Sequence, residues 1–390
     1  MQNIVIVAGS RTPMGGFQGS LSDLTAPELG AVVIRETVKR AGVAPEQVDE
    51  VIMGCVLPAG LKQGPARQAM RQAGLPDSTG AVTINKLCGS AMKAVLQASD
   101  ALKAGSANII VAGGMESMSN APYLLPKARG GYRMGHGDIK DHMFLDGLED
   151  AETGRLMGSF AQDAANQKGF SREQMDNFAI NSLKKAQTAI TEGYFIDEIA
   201  PVEIQGRKGT EIVSQDEQPL KANLDKIPTL RPAFAKDGTI TAANSSSISD
   251  GAAALLLTTE QHAQQMGLPV LAKIVATSCH SQHPSEFTIA PIGAIKKVLD
   301  RAGWLVEEVD LWEINEAFAM VAMAPIHDLG IDEAKVNIHG GACALGHPIG
   351  ATGARIILSL IYALKRLGKT KGVATLCIGG GEATAVAIEI

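Results

Sequence analysis

Short apolar runs alternate with segments of helical periodicity along the first third of the chain. Runs with strand character lie at residues 3–8, 50–53, 82–85 and 108–112. Between them the apolar residues recur with the spacing of one helix face, which predicts helices over residues 26–41, 66–73 and 89–104. This alternation is typical of α/β proteins, in which helices cover the faces of a sheet.

The same order of elements begins again near residue 269. Arg40-Ala-Gly42 has a counterpart in Arg301-Ala-Gly303, and Gly113-Gly-Met-Glu116 has one in Gly379-Gly-Gly-Glu382. The two offsets, 261 and 266 residues, agree with a duplicated domain that carries one small insertion, although matches this short also arise by coincidence. The predicted N-terminal half covers residues 1–118 and is completed by about residues 250–268. The predicted C-terminal half covers residues 269–390.

The segment between the halves, residues 119–249, has a different character. It is rich in glycine, polar residues and methionine, and it contains one well-marked helix over residues 171–192. Ser171 is the expected N-cap of that helix, and Gln174 completes a capping box. Long insertions usually serve as lids or assembly elements, so we expect an inserted loop domain.

Composition and charge exclude several classes of function. The formal net charge of −6 argues against non-specific binding to nucleic acid or to an anionic membrane, because both need a basic surface. The first residues have no basic region of the signal-peptide type, and no apolar run approaches the roughly 18 residues that span a bilayer. The five cysteines lack C-x-x-C spacing, so neither a disulfide framework nor a metal site is expected. A cytoplasmic location fits this pattern.

Cys88 lies where the third predicted strand passes into a helix. A thiol at a helix N-terminus faces the positive end of the helix dipole, so we expect its pKa to be lowered toward about 7. The thiolate is the nucleophilic form of cysteine, which makes Cys88 a candidate nucleophile. The alternative is a buried structural cysteine, the commoner role of a lone cysteine.

His347 lies in the glycine-rich segment Gly340–Arg355 and precedes Pro348, which restricts its backbone. A histidine near a thiol is the usual general base for activating a nucleophile. The alternative is a loop histidine that makes structural hydrogen bonds. His339 and Cys343 share the segment, and we interpret both as packing residues.

Cys377 ends an apolar run and is followed by Gly379-Gly-Gly381. Backbone N–H groups without obstructing side chains suit an oxyanion hole for a developing enolate. A phosphate-binding glycine loop is the alternative. The dinucleotide fingerprint, however, requires glycines that open a helix, whereas residues 382–390 continue as an apolar strand.

The segment Glu313–Ala319 follows a predicted strand of the second half. Its amide side chain, Asn315, can bind a water molecule or a carbonyl oxygen, while Glu316 can serve as a structural carboxylate. In isolation this segment is a weak indication of chemistry.

Together these segments resemble the thiolase family over nearly the whole chain. Asn315-Glu-Ala-Phe-Ala319, the segment Gly340–Arg355 and Cys377-x-Gly-Gly-Gly381 are long motifs in the family's order. The resemblance implies an α/β thiolase fold, a duplicated five-layer αβαβα architecture with an inserted loop domain. It also implies the condensation of two CoA thioesters, or its reversal. The loop Arg129-Gly-Gly-Tyr-Arg-Met-Gly135 looks like that of the acetyl-CoA acetyltransferase branch, whose members use it to form tetramers.

The resemblance assigns a role to each candidate. Cys88 would carry the acyl group as a thioester, and His347 would take its proton and bind the thioester oxygen together with a water held by Asn315. Cys377 would remove the α-proton from the second acetyl-CoA. The N–H groups of Cys88 and Gly379 would form the second oxyanion hole.

The resemblance also implies where coenzyme A binds, as substrate and product rather than as a covalently bound cofactor. Its expected contacts are Met157, Arg231, Phe234, Ser246 and Phe318. Among these, Ser246 would contact the pantetheine arm, and the methionine and phenylalanines would line the acyl pocket. The implied partners are small CoA thioesters and further copies of the chain in a homotetramer.

The sequence departs from the family at Leu156, Ala243, Ser249 and His339, where other residues are common. None of these positions belongs to the catalytic set, so the departures concern CoA contacts and acyl chain length. Two alternatives therefore stay open: a degradative thiolase that acts on longer 3-ketoacyl-CoA, and a non-catalytic CoA-binding protein of the same fold.

Overall fold

The structure is a computed structural model that describes residues 2–206 and 209–390. Its strands are β1 (Ile4–Arg11), β2 (Gly15–Gly16), β3 (Glu50–Gly54), β4 (Gly80–Ile84), β5 (Ile109–Ser117), β6 (Tyr123–Leu124), β7 (Lys140–Asp141), β8 (Val202–Gly206), β9 (Gly209–Val213), β10 (Ser249–Thr259), β11 (Ala272–Ser281), β12 (Leu311–Ile314), β13 (Lys371–Ile378) and β14 (Glu382–Glu389). Its α-helices are α1 (Ala26–Ala41), α2 (Pro65–Gln72), α3 (Ser90–Lys103), α4 (Met157–Lys168), α5 (Arg172–Thr191), α6 (Glu217–Lys221), α7 (Glu260–Met266), α8 (Ala290–Ala302), α9 (Ala319–Leu329), α10 (Ala342–Leu345) and α11 (Thr352–Leu367).

Ten strands form one continuous mixed sheet. Nine follow one another in the order β12–β13–β14–β11–β1–β10–β5–β3–β4, and the short β2 pairs with β10. The strand pairs β3–β4, β3–β5 and β12–β13 are parallel, and the other pairs are antiparallel. The two halves of the sheet meet in its middle, where β1 pairs with β11 over the short register from Ile4↔Ile274 to Ile6↔Ala272.

The two halves of the sheet repeat the same arrangement of strands. In each, a parallel pair leads to an antiparallel pair: β3–β5 followed by β5–β10, and β12–β13 followed by β13–β14. The hairpin β13–β14 closes through three glycines, and Gly380 and Gly381 have φ of 84° and 89°, a conformation that favours glycine. At the equivalent point of the other half, the chain leaves the sheet after Ser117 of β5. It returns in β10, where Asp250 is the register partner of Ser117.

Alternate residues of β1 face two different cores, so the strand is buried on both sides. Val5 and Val7 pack with α1 and α2, whereas Ile4 and Ile6 pack with α3 and α11. The helices α3 and α11 also cover apolar residues of β13 and β14, and α8 and α9 cover the far face of those strands. Helices and strands therefore form five layers, with α3 and α11 in the central layer.

The two helices of the central layer approach each other closely. A Cβ atom placed on Gly353 of α11 would lie 2.3 Å from the backbone nitrogen of Met92 in α3. No side chain fits at that distance, so the spacing of the central layer depends on this glycine.

The elements predicted from periodicity agree with the structure. Helix α1 has the predicted bounds, and α5 begins after Ser171, whose Oγ accepts a hydrogen bond from the Gln174 N–H. The Gln174 side chain in turn accepts from the Ser171 N–H at 2.8 Å, which completes the predicted capping box. The domain boundaries at residues 118, 249 and 269 stay a prediction. Within the described residues, no helix combines the length and the apolar character that crossing a membrane requires.

Candidate active site

A cavity of about 410 Å³ lies at the end of the central helix layer. Cys88, His347 and Gly379 line it together, although they come from distant parts of the sequence. The rest of its wall is mostly apolar and includes Leu148, Phe287 and Ile349. An apolar cavity with a few converging polar groups is the usual form of a small-molecule site.

Cys88 lies immediately before Gly89, the N-cap of α3, as the sequence predicts. The preceding residue, Leu87, has φ of 47°, a left-handed conformation that is unusual for a residue with a side chain. Two side chains hold this turn: Asn85 Oδ1 accepts from the Leu87 N–H at 2.9 Å, and Ser90 Oγ donates to the Leu87 carbonyl at 2.7 Å. Strained backbone of this kind persists where neighbouring contacts fix it, and here it directs the thiol into the cavity.

The expected direction of the Cys88 pKa is wrong. Burial raises the pKa of the Cys88 thiol to about 11, although the backbone N–H groups of Gly379 and of Cys88 itself act in the opposite direction. Desolvation of the thiolate therefore outweighs the start of the helix. The resting form of Cys88 is the neutral thiol, which needs a base when it reacts.

His347 can supply that base. Its Nδ1 lies 2.6 Å from the hydroxyl of Thr352, and that hydroxyl donates its own proton to the Pro348 carbonyl at 3.0 Å. Since a hydroxyl has one proton, it must accept from Nδ1–H, which leaves the Nε2 lone pair free. Nε2 is buried and has no partner in the described structure.

The histidine is also uncharged at neutral pH. Burial lowers the pKa of His347 to about 3, and the charge of Arg355 acts in the same direction. A neutral imidazole with a free nitrogen in an apolar cavity is the form that can accept a proton from a thiol.

Cys377 lies at the end of β13 and is fully buried. Burial raises the pKa of its thiol well above the ordinary value, and the neighbouring Cys88 adds to this effect. Two thiols are thus close together, both protonated at rest. Cys377 is not part of the cavity wall itself, whereas Gly379, two residues later, is.

Asn315 follows the last residue of β12 and is 1% exposed. Neither its Oδ1 nor its Nδ2 has a hydrogen-bond partner in the described structure. Leaving such a group unpaired costs about 1–3 kcal/mol, so a buried amide of this kind indicates a bound water or ligand group.

Four of the five predicted CoA contacts line the cavity, namely Met157, Phe234, Ser246 and Phe318. The fifth, Arg231, does not line it and is exposed to solvent. The rings of Phe234 and Phe318 pack edge to face, with centroids 6.1 Å apart. Leu156, one of the departures from the family pattern, also lines the cavity.

A second cavity, about 300 Å³, adjoins the first and shares Ala242 and Ser247 with it. Lys221 and Lys226 line this second cavity, whereas sequence reasoning selected only Arg231 as a basic CoA contact. The described residues contain no group of three or more His, Cys, Asp or Glu side chains that could hold a metal ion.

Several functional neighbours were not selected from the sequence. Thr352 was missed although it lies only five residues after His347, because its role depends on how the loop meets α11. Ser249, noted only as a departure, accepts a hydrogen bond from the His347 N–H at 3.3 Å. Such contacts depend on the fold and have no signature in the local sequence.

Comparison with known proteins gives consistent matches over the whole chain. Residues 4–261 match the family model described as "Thiolase, N-terminal domain", and residues 268–390 match "Thiolase, C-terminal domain". An acetyl-CoA acetyltransferase of Pseudomonas aeruginosa is 48% identical, covering 100% of this chain and 99% of that protein. One of Escherichia coli is 49% identical with the same coverage. The crystal structure of the Bacillus anthracis acetyl-CoA acetyltransferase has a TM-score of 0.97 at 43% identity, covering 100% of this chain and 99% of that one.

Proposed function

We propose that this chain, which belongs to the thiolase family and has the thiolase fold, is an acetyl-CoA C-acetyltransferase. It condenses two acetyl-CoA molecules to acetoacetyl-CoA and CoA, and it catalyses the reverse thiolysis. The observation that carries the proposal is the cavity in which the Cys88 thiol and the free Nε2 of His347 line one apolar wall. The names of the relatives above support the same substrate class.

The first half-reaction transfers an acetyl group to Cys88. His347 Nε2 takes the thiol proton as the sulfur attacks the thioester carbonyl, and the resulting imidazolium N–H, with a water held by Asn315, binds the carbonyl oxygen. The departing CoA sulfur then needs a proton. Cys377 supplies it, because its thiol is protonated at rest and lies beside Cys88. This leaves a Cys377 thiolate and a His347 imidazolium.

The second half-reaction uses that pair. The Cys377 thiolate removes the α-proton of a second acetyl-CoA, and the N–H groups of Cys88 and Gly379 stabilise the enolate oxygen. The enolate attacks the acetyl group on Cys88, and the released sulfur recovers its proton from His347. Every group returns to its resting state, which is consistent with a neutral imidazole and two neutral thiols at the start.

Coenzyme A would lie along the large cavity, with its pantetheine arm against Ser246 and its acyl end against Met157, Phe234 and Phe318. Its phosphates need cationic partners. Arg231 is the sequence-based candidate, and Lys221 and Lys226 of the adjoining cavity support the same location. No other cofactor is proposed.

The alternative is a degradative thiolase for longer 3-ketoacyl-CoA, and one observation favours it: Leu156 extends the apolar wall beside Met157. In a roomy pocket each added methylene gains about 0.8 kcal/mol of transfer free energy. In a closed pocket it costs roughly 1–3 kcal/mol of overpacking strain. The two functions therefore predict opposite slopes of kcat/KM against chain length.

The test is thiolytic kcat/KM across a 3-ketoacyl-CoA series from four carbons upward, with the Leu156→His variant as the matched control. We expect a steep fall beyond four carbons in both proteins. A flat or rising profile would assign the chain to the degradative branch. Absence of turnover with every substrate would favour a non-catalytic CoA-binding protein.

We also propose a homotetramer in the cytoplasm. The segment 129–135 is exposed, and Met134 within it is 95% exposed, which suits a contact with another copy of the chain. Cys88 and Cys377 are free cysteines that must stay reduced to act, and a reducing compartment keeps them so.

A further inference from the structure

Asn337 is a buried residue in an unusual backbone conformation. It is 1% exposed, and its φ of 45° lies in the left-handed region. This conformation costs a residue with a side chain about 1 kcal/mol or more, and it persists only where the surroundings fix it. Asn337 lies outside the catalytic set and is absent from the cavity wall.

The side-chain amide of Asn337 binds both neighbours of Asn315. Its Oδ1 accepts from the Ile314 N–H at 2.8 Å, and its Nδ2 donates to the Ile314 carbonyl at 2.8 Å. The same Nδ2 donates to Glu316 Oε1, also at 2.8 Å. The amide thus makes the hydrogen bonds that the backbone of a neighbouring strand would make at the end of β12. It also binds the side chain of the residue that follows Asn315.

Glu316 extends this contact to other parts of the site. Its second oxygen, Oε2, accepts from Ser182 Oγ of α5 at 2.7 Å and from the Cys343 N–H at 3.1 Å. The Ser182 hydroxyl also accepts from the Gly341 N–H at 2.9 Å, in the segment that leads to His347. The two hydrogen bonds of Ser182 are buried and that of Cys343 is partly buried, so water replaces them with difficulty.

From this geometry we infer that Asn337 is a positioning residue for Asn315, an inference that rests on the proposed role of Asn315. The Asn315 amide has no partner of its own, so no direct contact fixes where it points. Its direction depends on the backbone on either side of it. Asn337 binds the backbone N–H and carbonyl of Ile314 on one side and the side-chain carboxylate of Glu316 on the other. Asn337 therefore sets the position of the water that contributes to the first oxyanion hole.

The substitution Asn337→Asp tests this inference. It keeps the acceptor for the Ile314 N–H but removes both donations and brings a second carboxylate beside Glu316. We expect kcat to fall roughly tenfold to hundredfold, because a misplacement of about 1 Å at a reacting group can cost about that much. The KM for acetyl-CoA should stay within about twofold, since the CoA contacts are elsewhere.

A double-mutant cycle separates positioning from general damage. In an Asn315→Ala background, Asn337→Asp should reduce kcat by less than about twofold, because the group that it positions is gone. Equal losses in both backgrounds would overturn the inference. If Asn315→Ala alone leaves kcat unchanged, then the proposed role of Asn315 fails first, and the inference fails with it.

Two further variants complete the experiment. Combining Asn337→Asp with Glu316→Gln reverses the donor and acceptor between these two residues, although the Ile314 carbonyl still lacks its donor. A partial recovery of kcat therefore supports the inference, and a kcat no higher than that of Asn337→Asp alone counts against it. If Asn337→Asp does not fold, then Asn337→Gly replaces it in the same cycle, because glycine adopts a φ of 45° without strain.

Discussion

The hydrogen bond between His347 and Thr352 allows a quantitative prediction. Thr352→Val preserves the shape of the side chain but removes the oxygen that lies 2.6 Å from His347 Nδ1. The ring then has no acceptor that selects the tautomer with a free Nε2. Without that selection, roughly half of the molecules would hold the wrong tautomer, which costs about twofold in rate.

A larger effect arises as the ring becomes charged. A neutral hydrogen bond contributes about 0.5–1.5 kcal/mol and a charged one about 1.5–3 kcal/mol, so the Thr352 contact strengthens by about 1 kcal/mol in the transition state. Since 1.36 kcal/mol corresponds to tenfold in rate, this loss is about fivefold. Together the two effects predict a fall in acylation rate on the order of tenfold.

The measurement is the rate of acetyl transfer from acetyl-CoA to Cys88 in a single turnover, followed by mass spectrometry of the intact protein. Thr352→Ser is the matched control, because it keeps the hydroxyl that accepts from Nδ1 and donates to the Pro348 carbonyl. We expect the serine variant to stay within about threefold of the native rate, since it retains the hydrogen bond. Valine and serine variants of equal activity would refute the reasoning.

Three further predictions address other parts of the mechanism. Cys377→Ala should still form acetyl-Cys88, detected by mass spectrometry, but more slowly, because the departing CoA loses its proton donor and must leave as a thiolate; condensation should fall by a further factor of roughly 10²–10⁴ through loss of the general base. Complete failure to form acetyl-Cys88 would instead indicate a structural role for Cys377. Alkylation of Cys88 by iodoacetamide should rise with pH between 7 and 9, because a pKa raised to about 11 keeps the reactive thiolate scarce until high pH. Since the pKa of His347 is about 3, the profile should have no inflection between pH 5 and 8, and a plateau near pH 7 would contradict the neutral resting pair. Deletion of residues 129–135 should convert tetramers into active dimers by light scattering, a result that a dimeric intact protein would exclude.

The sequence predicts the helices and strands well because they depend on short stretches of chain. The bounds of α1, the capping box at Ser171 and the turn after Cys377 follow from local spacing. The pKa of Cys88 could not be predicted in the same way. Its helix position is local, but the depth of its burial depends on α11 and on the loops around the cavity, and burial has the larger effect.

The partners of the candidate residues were harder to predict for a related reason. His347 and Thr352 are close in sequence, yet their contact depends on the angle at which the loop enters α11. Asn337 and Asn315 are far apart in sequence, and nothing in the local sequence indicates that the Asn337 amide binds the residues on both sides of Asn315, the backbone of Ile314 and the carboxylate of Glu316. Residues that bind substrate have recognisable motifs, whereas residues that hold them in place are identified by geometry.

The strand order also has a consequence for how the protein is made. Strand β1, the first to leave the ribosome, lies in the sheet between β10 and β11, and both of these strands are synthesised more than 230 residues later. At roughly 5–20 residues per second, this strand waits on the order of ten seconds or more with both edges unpaired. Strand β5 meanwhile has β3 beside it and waits for β10 on its other edge. The middle of the finished sheet is therefore the part of the nascent chain that most needs protection from aggregation, and the sheet can be completed only after most of the chain has emerged.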